Sequence, residues 1–520
     1  MSAPITITVA KDAAARSVGA DDVAGRIAEE AAARGIDVVL KRTGTRGLLY
    51  LEPLVEVVTD AGRIAFGPVS PDDVADLFDA GFPQTGDHPL CLGPTEEIPY
   101  LARQTRITFG RCGVIDPTDI AEYRATRGFR GLEAALAKSP AQVVEDVVAS
   151  GLRGRGGAGF PTGIKWRTVA AADADQKYIC CNADEGDSGT FADRILMEGD
   201  PLHLIEGMTI AGIAVGADTG YVYIRSEYPD AVATMREAIA ACEAAHLLGD
   251  DILGSGKSFR LHVRVGAGAY ICGEESAMLE SLEGKRGVVR AKPPIPAIAG
   301  LFGKPTIVNN VLSFAAVPSI LADGPEAYEA YGFGKSRGTM PFQLAGNIAR
   351  GGLVEVAFGI TLKDLVEDFG GGTRSGRPVR AVQVGGPLGA YIPADQMGLP
   401  KDYETFAEAG FMVGHGGIVV FDDTVDMAEQ ARFAFEFCEK ESCGKCTPCR
   451  IGAVRGRETV EKILSGQEVA GNVALIEELC TLMTDASLCA MGGLTPMPVA
   501  SALKHFPEDF DRVGAREAAE

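Results

Sequence analysis

Three cysteines in ESCGKCTPCR, Cys443, Cys446 and Cys449, follow one another at C-x2-C-x2-C spacing and limit what this chain can fold into more than any other feature. Gly444 and Pro448 are expected to keep the segment out of regular helix, so that three thiolates face one small object. Structural zinc usually takes cysteines in two well-separated pairs, whereas a run of this spacing is typical of [4Fe–4S] ligation. The fourth ligand must then come from elsewhere. SLCAMGG offers Cys489, after an expected helix and before an expected Gly-Gly turn.

The other cysteines read differently. Cys438 shares a helical stripe with Ala431, Ala434 and Phe435, and Cys480 shares one with Ile476, Leu479 and Met483, so both read as core. Cys91, Cys112 and Cys242 have no cysteine or histidine at ligand spacing. The start MSAPITITVA lacks the basic and apolar segments of an export signal, and no run of about 18 apolar residues could span a bilayer. A cytoplasmic chain is expected, its twelve cysteines thiols or ligands rather than disulfides. The net charge of −22 repels phosphate backbones and argues against nucleic-acid binding.

At 520 residues the chain is long enough for three or four domains. Residues 1–105 read as a small α/β unit: strand ITITVA, a helix over 21–35, strands in IDVVLKRT, GLLYLEPLVEVVT and GRIAFGPV, then helix SPDDVADLF with a serine N-cap and proline in its first turn. An irregular connector (92–119) and a helical pair (120–150) follow. Residues 151–335 alternate strands, glycine loops and helices, as in a Rossmann-like α/β domain with a mixed or parallel sheet. Residues 336–420 form a β-rich unit, and 421–520 are helical, with a charged tail after about 508 expected to fray.

A [4Fe–4S] cluster carries one electron at a time and needs a partner. GLRGRGGAGFPTGIKW (151–166) interleaves glycines with Arg153, Arg155 and Lys165, flanked by Phe160 and Trp166. Glycines let backbone N–H groups approach an anion, and the cations offset its charge, so a nucleotide site is favoured over a flexible loop. It is neither a GxxxxGK[ST] loop nor a plain GxGxxG fingerprint. CNADEGDSGTFADR adds Asn182, Asp184, Glu185 and Asp187, and GAGAYICGEES places Tyr270, Glu274 and Glu275 at an expected helix start. Such carboxylates serve either as helix-dipole partners or as acceptors for ribose hydroxyls, flavin N–H groups or a carboxamide, and spacing does not choose between these.

Together with KPTIVNNV, GGPLGAYIP and ESCGKCTPCR…SLCA, these motifs in this order closely resemble the NADH-binding flavoprotein subunit of respiratory complex I. They equally resemble the diaphorase subunits of soluble NAD-dependent formate dehydrogenases and NAD-reducing hydrogenases. The resemblance covers about residues 110–500. It implies FMN, NAD(H) and one [4Fe–4S] cluster held by Cys443, Cys446, Cys449 and Cys489. Carried over by motif, Gly154, Arg155, Lys165, Asn182, Asp184, Tyr270, Gly273, Glu274, Asn309 and Asn310 match FMN-site positions. Gly156, Gly157, Phe160, Asp187 and Glu275 match positions near NADH. It also implies a ubiquitin-like (SLBB) domain at 336–420 and a helical cluster domain at 421–520. Three departures bear on nucleotide affinity: Gly186-Asp187-Ser188 stands where Met-Glu-Pro is common, Ile295 where several relatives have Phe, and His415 where Ser is usual.

The first hundred residues resemble the thioredoxin-like domain of complex I's small iron–sulfur subunit. With only Cys91 and Cys112 before residue 150, they lack a four-cysteine [2Fe–2S] site and look like a cluster-free docking module. This fusion is most similar to the β subunit of a soluble molybdenum-containing formate dehydrogenase. The resemblance then implies a relay: electrons from formate, oxidised on a large molybdenum subunit, arrive through iron–sulfur partners that include a small [2Fe–2S] subunit. They leave through FMN to NAD⁺, no side chain acting as nucleophile. The rivals are a complex I flavoprotein subunit, a hydrogenase diaphorase and, in a different class, a non-catalytic zinc-binding scaffold.

Overall fold

A computed structural model describes residues 4–511; the expected frayed tail beyond Asp511 lies outside the described residues. Strands β1 (Ile5–Ala10), β2 (Val38–Thr43), β3 (Val55–Thr59), β4 (Gly62–Phe66) and β5 (Cys91–Pro94) form one sheet in the order β2-β1-β3-β4-β5. Only β1 and β2 run parallel, joined over the helix Ala20–Arg34, which ends at Gly35 in left-handed conformation. GLLYLEPLVEVVT is not one strand, because a 3₁₀ turn at Leu49–Leu51 precedes β3. The next helix spans Asp73–Asp79, not 70–78: the Ser70 N–H and hydroxyl both donate to the Asp73 carboxylate, holding Ser70 ahead of the helix.

The segment 120–150 holds three helices, Ile120–Ala125, Arg130–Leu136 and Pro140–Ala149, where a pair was expected. Arg127 and Phe129 take positive φ and break the first from the second. Tyr123, Leu132 and Val147 join the main core, together with the helix Pro201–Val215, buried along its whole length.

That core lies on one face of a four-stranded parallel sheet of β6 (Tyr178–Ala183), β7 (Thr219–Ile224), β8 (Arg260–Val265) and β9 (Thr306–Asn310), ordered β8-β7-β6-β9. Chain order reverses between β6 and β9, and in open parallel sheets ligands bind outside the carboxyl ends at such a switch point. Side chains alternate along the strands. Ile179, Cys181 and Ile307 enter the core just described, while Cys180, Tyr223 and Val308 enter a second core on the opposite face. The second core also contains Phe435, Cys438, Cys449, Cys480 and Met483 from the C-terminal helices Met427–Glu441, Thr447–Leu464 and Val469–Ala486. The cysteine-bearing bundle is therefore packed directly against the sheet that makes the switch point.

A short ribbon of β10 (Gly332–Phe333) and β11 (Ser336–Arg337) leads into the β-rich unit. Its five strands, β12 (Thr339–Gly346), β13 (Gly352–Ala357), β14 (Val379–Val384), β15 (Ala390–Pro393) and β16 (Gly417–Asp422), are ordered β13-β12-β16-β14-β15. Only β12 and β16 run parallel. Leu48, Leu54 and Tyr100 from the N-terminal part enter the core of this unit.

Candidate active site

The carboxyl ends of β6 and β9 place Asn182, Asn309 and Asn310 side by side, and two connected cavities open there. The inner one, about 330 Å³, is lined by Gly156, Gly157, Asn182, Asp184, Asp187 and Tyr270 among others. The outer one, about 440 Å³, is lined by Gly154, Phe160, Lys165, Glu275, Lys292, Ile295 and Asn309. Gly156, Asn182, Gly273, Glu274 and Asn310 line both. The structure thus brings every expected flavin and nucleotide residue to this cleft except Arg155.

The Arg155 side chain departs from expectation because it is buried behind the loop. Its guanidinium donates to the Tyr328 hydroxyl and the Arg337 carbonyl and stacks over Phe358. Its backbone N–H is also engaged, at 2.9 Å from Ser313 Oγ. Arg155 therefore anchors the glycine-rich loop to its support and does not face the cleft. Arg153 does similar work, pairing with Glu404 and stacking on Tyr403, whose hydroxyl donates to the Gly154 carbonyl at 3.0 Å.

The remaining polar groups are set by local chemistry. Glu274 caps the helix Glu275–Leu282 through Oε2, as the expected helix start required, while its Oε1 pairs with Lys292. Glu275 pairs with Lys292 at 2.6 Å and faces Lys165 at 3.7 Å. Burial pushes the Lys165 amine down against that pairing. Asn182 donates to the Gly273 carbonyl at 2.7 Å, and Asn309 accepts from the Trp166 indole at 3.1 Å. The Tyr270 hydroxyl donates to Asp187 at 2.6 Å, so the shorter carboxylate here still reaches a partner across the inner cavity.

Two observations show that these residues fit a bound flavin nucleotide. Asp184 Oδ2 is buried with no hydrogen-bond partner, and burial pushes this carboxyl up to about 7. Such an orphan acceptor costs roughly 1–3 kcal/mol unless a ligand donor meets it. A Cβ at Gly156 would lie 2.8 Å from Asn310 Cβ, and one at Gly186 would lie 2.6 Å from the Tyr270 ring. Glycine at both places lets the cleft walls keep this close packing, which a side chain would force apart.

Cys489 lies beside the same cleft, next to residues that line its inner cavity. Cys446 caps the helix Thr447–Leu464, so Pro448 lies in a helical first turn instead of preventing helix, and Cys449 points from that turn into the second core. Cys489 likewise caps the short helix Ala490–Leu494, so Gly492 and Gly493 are helical where a turn was expected. A Cβ at Gly492 would meet Cys449 Cβ at 2.6 Å, which explains the glycine. Ala490, Met491 and Leu494, immediately after Cys489, line the inner cavity.

Among the described residues, no three of the cysteine thiols lie within 4.8 Å of one another. Four thiolates on one zinc ion, at about 2.3 Å each, would converge to roughly 3.8 Å. The cysteine thiols do not make that convergence. Cys438 is core, as expected, but its thiol also lies 3.6 Å from Cys449 Sγ. Hydrogen bonds from Cys438 and Ser442 hold the Cys449 thiol down at about 6, whereas burial pushes Cys489 up to about 11.

Residues 147–319 match the family model described as the Nuo51 FMN-binding domain, and residues 429–513 match the NADH-ubiquinone oxidoreductase-F iron-sulfur binding region. The NADP-reducing hydrogenase subunit HndC of Solidesulfovibrio fructosivorans is 45% identical over 409 residues, which is 79% of this chain and 83% of that protein. The chain belongs to the NADH-binding diaphorase family. Another member, a component of the NADH-quinone oxidoreductase of Escherichia coli strain K12, is 40% identical over 398 residues, 76% of this chain and 89% of that one. A chain of a solved NAD⁺-reducing [NiFe]-hydrogenase superposes with a TM-score of 0.68 at 29% identity, covering 98% of this chain and 85% of its own. The cofactors of this diaphorase are FMN, NAD(H) and a [4Fe–4S] cluster.

Asp193 and His415 were not expected as site residues, and Glu185 only as one of several possible acceptors in its loop. Glu185, Asp193 and His415 are buried together in the wall of the inner cavity. Burial alone would push the His415 imidazole down; Asp193 and Glu185 reverse this and hold it well above its usual range. Asp193 lies in the first turn of a helix at the end of its motif stretch and was not singled out there, while His415 stood out in the sequence only as a departure from serine. Among the described residues, no helix is long and apolar enough to cross a membrane.

Proposed function

We propose that this chain is the diaphorase subunit of a soluble, cytoplasmic NAD-dependent formate dehydrogenase, exchanging electrons between NAD(H) and iron–sulfur partners. The observation that carries the diaphorase reading is that the helix following Cys489 forms one wall of the nucleotide cleft. A one-electron group held by Cys443, Cys446, Cys449 and Cys489 then stands beside a two-electron site. FMN bound in the cleft supplies the conversion between hydride and single-electron chemistry. The protein's part is positional. Asn182 and Asn310 set the floor, Arg153, Tyr403 and His415 hold the glycine-rich loop, and Lys165, Glu275 and Lys292 line the outer cavity where a nucleotide's polar half fits.

The N-terminal unit is read as a docking module for a partner subunit. That fusion supports the formate reading, with a molybdenum-containing large subunit and a small [2Fe–2S] subunit as partners. The hydrogenase reading is favoured by one specific observation: the likeness to the [NiFe]-hydrogenase chain spans 98% of this chain. Purifying the native assembly and measuring its metals separates the two. Molybdenum with formate-dependent NAD⁺ reduction is expected; nickel without molybdenum overturns the formate reading and leaves the diaphorase reading standing. The scaffold reading requires zinc without iron in the isolated chain, and iron with flavin is expected instead.

A further inference from the structure

The trio in the cleft wall has more acceptors than one proton can serve. His415 Nδ1 lies 2.7 Å from the Arg155 carbonyl and donates to it. Nε2 therefore points at Glu185 Oε1 and Asp193 Oδ1, each 3.2 Å away. The single N–H on Nε2 makes its hydrogen bond to Glu185, and the buried Asp193 Oδ1, equally near, is paired with the ring without a hydrogen bond of its own.

The other atom of each side chain is fixed from behind. Glu185 Oε2 accepts from the Arg194 N–H at 3.1 Å and the Tyr228 hydroxyl at 3.1 Å, and Asp193 Oδ2 accepts from Asn310 Nδ2 at 2.7 Å. Outer contacts of this kind orient metal ligands, and they leave Nε2, Oε1 and Oδ1 converging on one point. Oε1 keeps one additional contact, the Asp193 N–H at 3.0 Å. The three atoms lie within 4.8 Å of one another. Metal bonds of about 2.1 Å separate neighbouring ligands by about 3.0 Å in an octahedron and about 3.4 Å in a tetrahedron, and the two 3.2 Å edges fall between.

We propose that Glu185, Asp193 and His415 form a second metal site, for a divalent ion of the zinc or manganese type. Imidazole suits zinc and carboxylates suit manganese, so one imidazole with two carboxylates favours either over thiol-seeking ions. The ion replaces the Nε2 proton, which is released to solvent, and serves both carboxylates at once, which the single N–H does not. Its open positions face the inner cavity, where water or a phosphate oxygen completes the coordination.

The test uses the full chain, with FMN and the oxidised cluster confirmed, titrated with Mn²⁺ alone. Manganese leaves thiols aside and its free form gives a sharp six-line EPR signal. Wild type should remove one equivalent of that signal, and His415→Ala and Asp193→Asn should each leave at least about tenfold more manganese free at equal concentrations. Circular dichroism and cluster absorbance report folding, and where His415→Ala does not fold, Asp193→Asn decides alone. If wild type leaves the manganese free, or a folded variant binds as much as wild type, the site is refuted and the trio is an ion-pair network with a protonated Asp193.

Discussion

Replacing Asp184 by asparagine should remove most of the pH dependence of FMN binding. Burial raises this carboxyl to about 7, with Glu227 and Glu441 adding to the effect and Arg225 opposing it. Its Oδ2 has no partner. A polyhydroxyl cofactor brings hydroxyl donors, which the ionised carboxylate accepts, so binding favours the ionised form and lowers its pKa. Below about pH 7 the free site must release a proton before it binds, and affinity falls as pH falls. At pH 6 roughly ten sites in eleven are protonated, so Kd is about tenfold weaker than at pH 8, a difference of about 1.4 kcal/mol. The cofactor phosphate also titrates near pH 6, but it does so for wild type and variant alike, so the difference between them isolates Asp184. Flavin fluorescence quenching on titrating flavin-free chain across this range measures both. Asp184→Asn should bind about tenfold more weakly at pH 8 and lose the extra slope. If it keeps the wild-type slope, Asp184 does not meet the flavin.

Three further outcomes are expected. Glu52 is buried, and burial together with Asp12 raises its carboxyl from 4.5 to about 8. The folded chain therefore holds a proton that the unfolded chain has released, so the stabilisation is full below about pH 4.5 and lost as pH rises through 8. Glu52→Gln should flatten that loss, on the order of a few kcal/mol, in denaturant midpoints compared at about pH 5 and 9; an unchanged wild-type slope would count against it. Cys438→Ala should retain the broad iron–sulfur absorbance while Cys449→Ala loses it, and the reverse would make Cys438 the ligand. Tyr403→Phe removes one neutral hydrogen bond to the Gly154 carbonyl and should weaken FMN binding by about 2–10-fold without changing cluster content; unaltered affinity would show that the loop holds its shape without it.

The parts of the fold legible in the sequence were those carried by periodic burial or by ligand spacing. Cys438 and Cys480 reached the core because their stripes repeat at helical spacing, and β1 covers the alternating ITITVA although both of its faces are buried at the carboxyl end. Boundaries failed where a side chain competed for the backbone. Ser70 read as a cap but is tied to Asp73, and Pro448 read as a breaker but sits in a first turn, where its missing N–H costs nothing. In the cleft, the glycine-rich loop could be read from its composition, whereas Asn309 and Asn310 came only with the family resemblance. Arg155 was misplaced because a cation beside glycines reads the same whether it meets a phosphate or a neighbouring domain. The trio was not legible as a unit, since Glu185, Asp193 and His415 meet only when β16 and its preceding loop fold against the sheet.

On the proposed reading, one chain couples the two-electron nucleotide site to the one-electron cluster. Anaerobic EPR of the isolated chain, with FMN and cluster both loaded, after addition of NADH tests it directly. In wild type NADH should bleach the flavin and produce the paramagnetic signal of a reduced cluster. In Cys489→Ala it should bleach the flavin with no such signal. A wild-type chain that bleaches its flavin and leaves an intact cluster oxidised, or a Cys489→Ala chain that shows the same cluster signal, would contradict it.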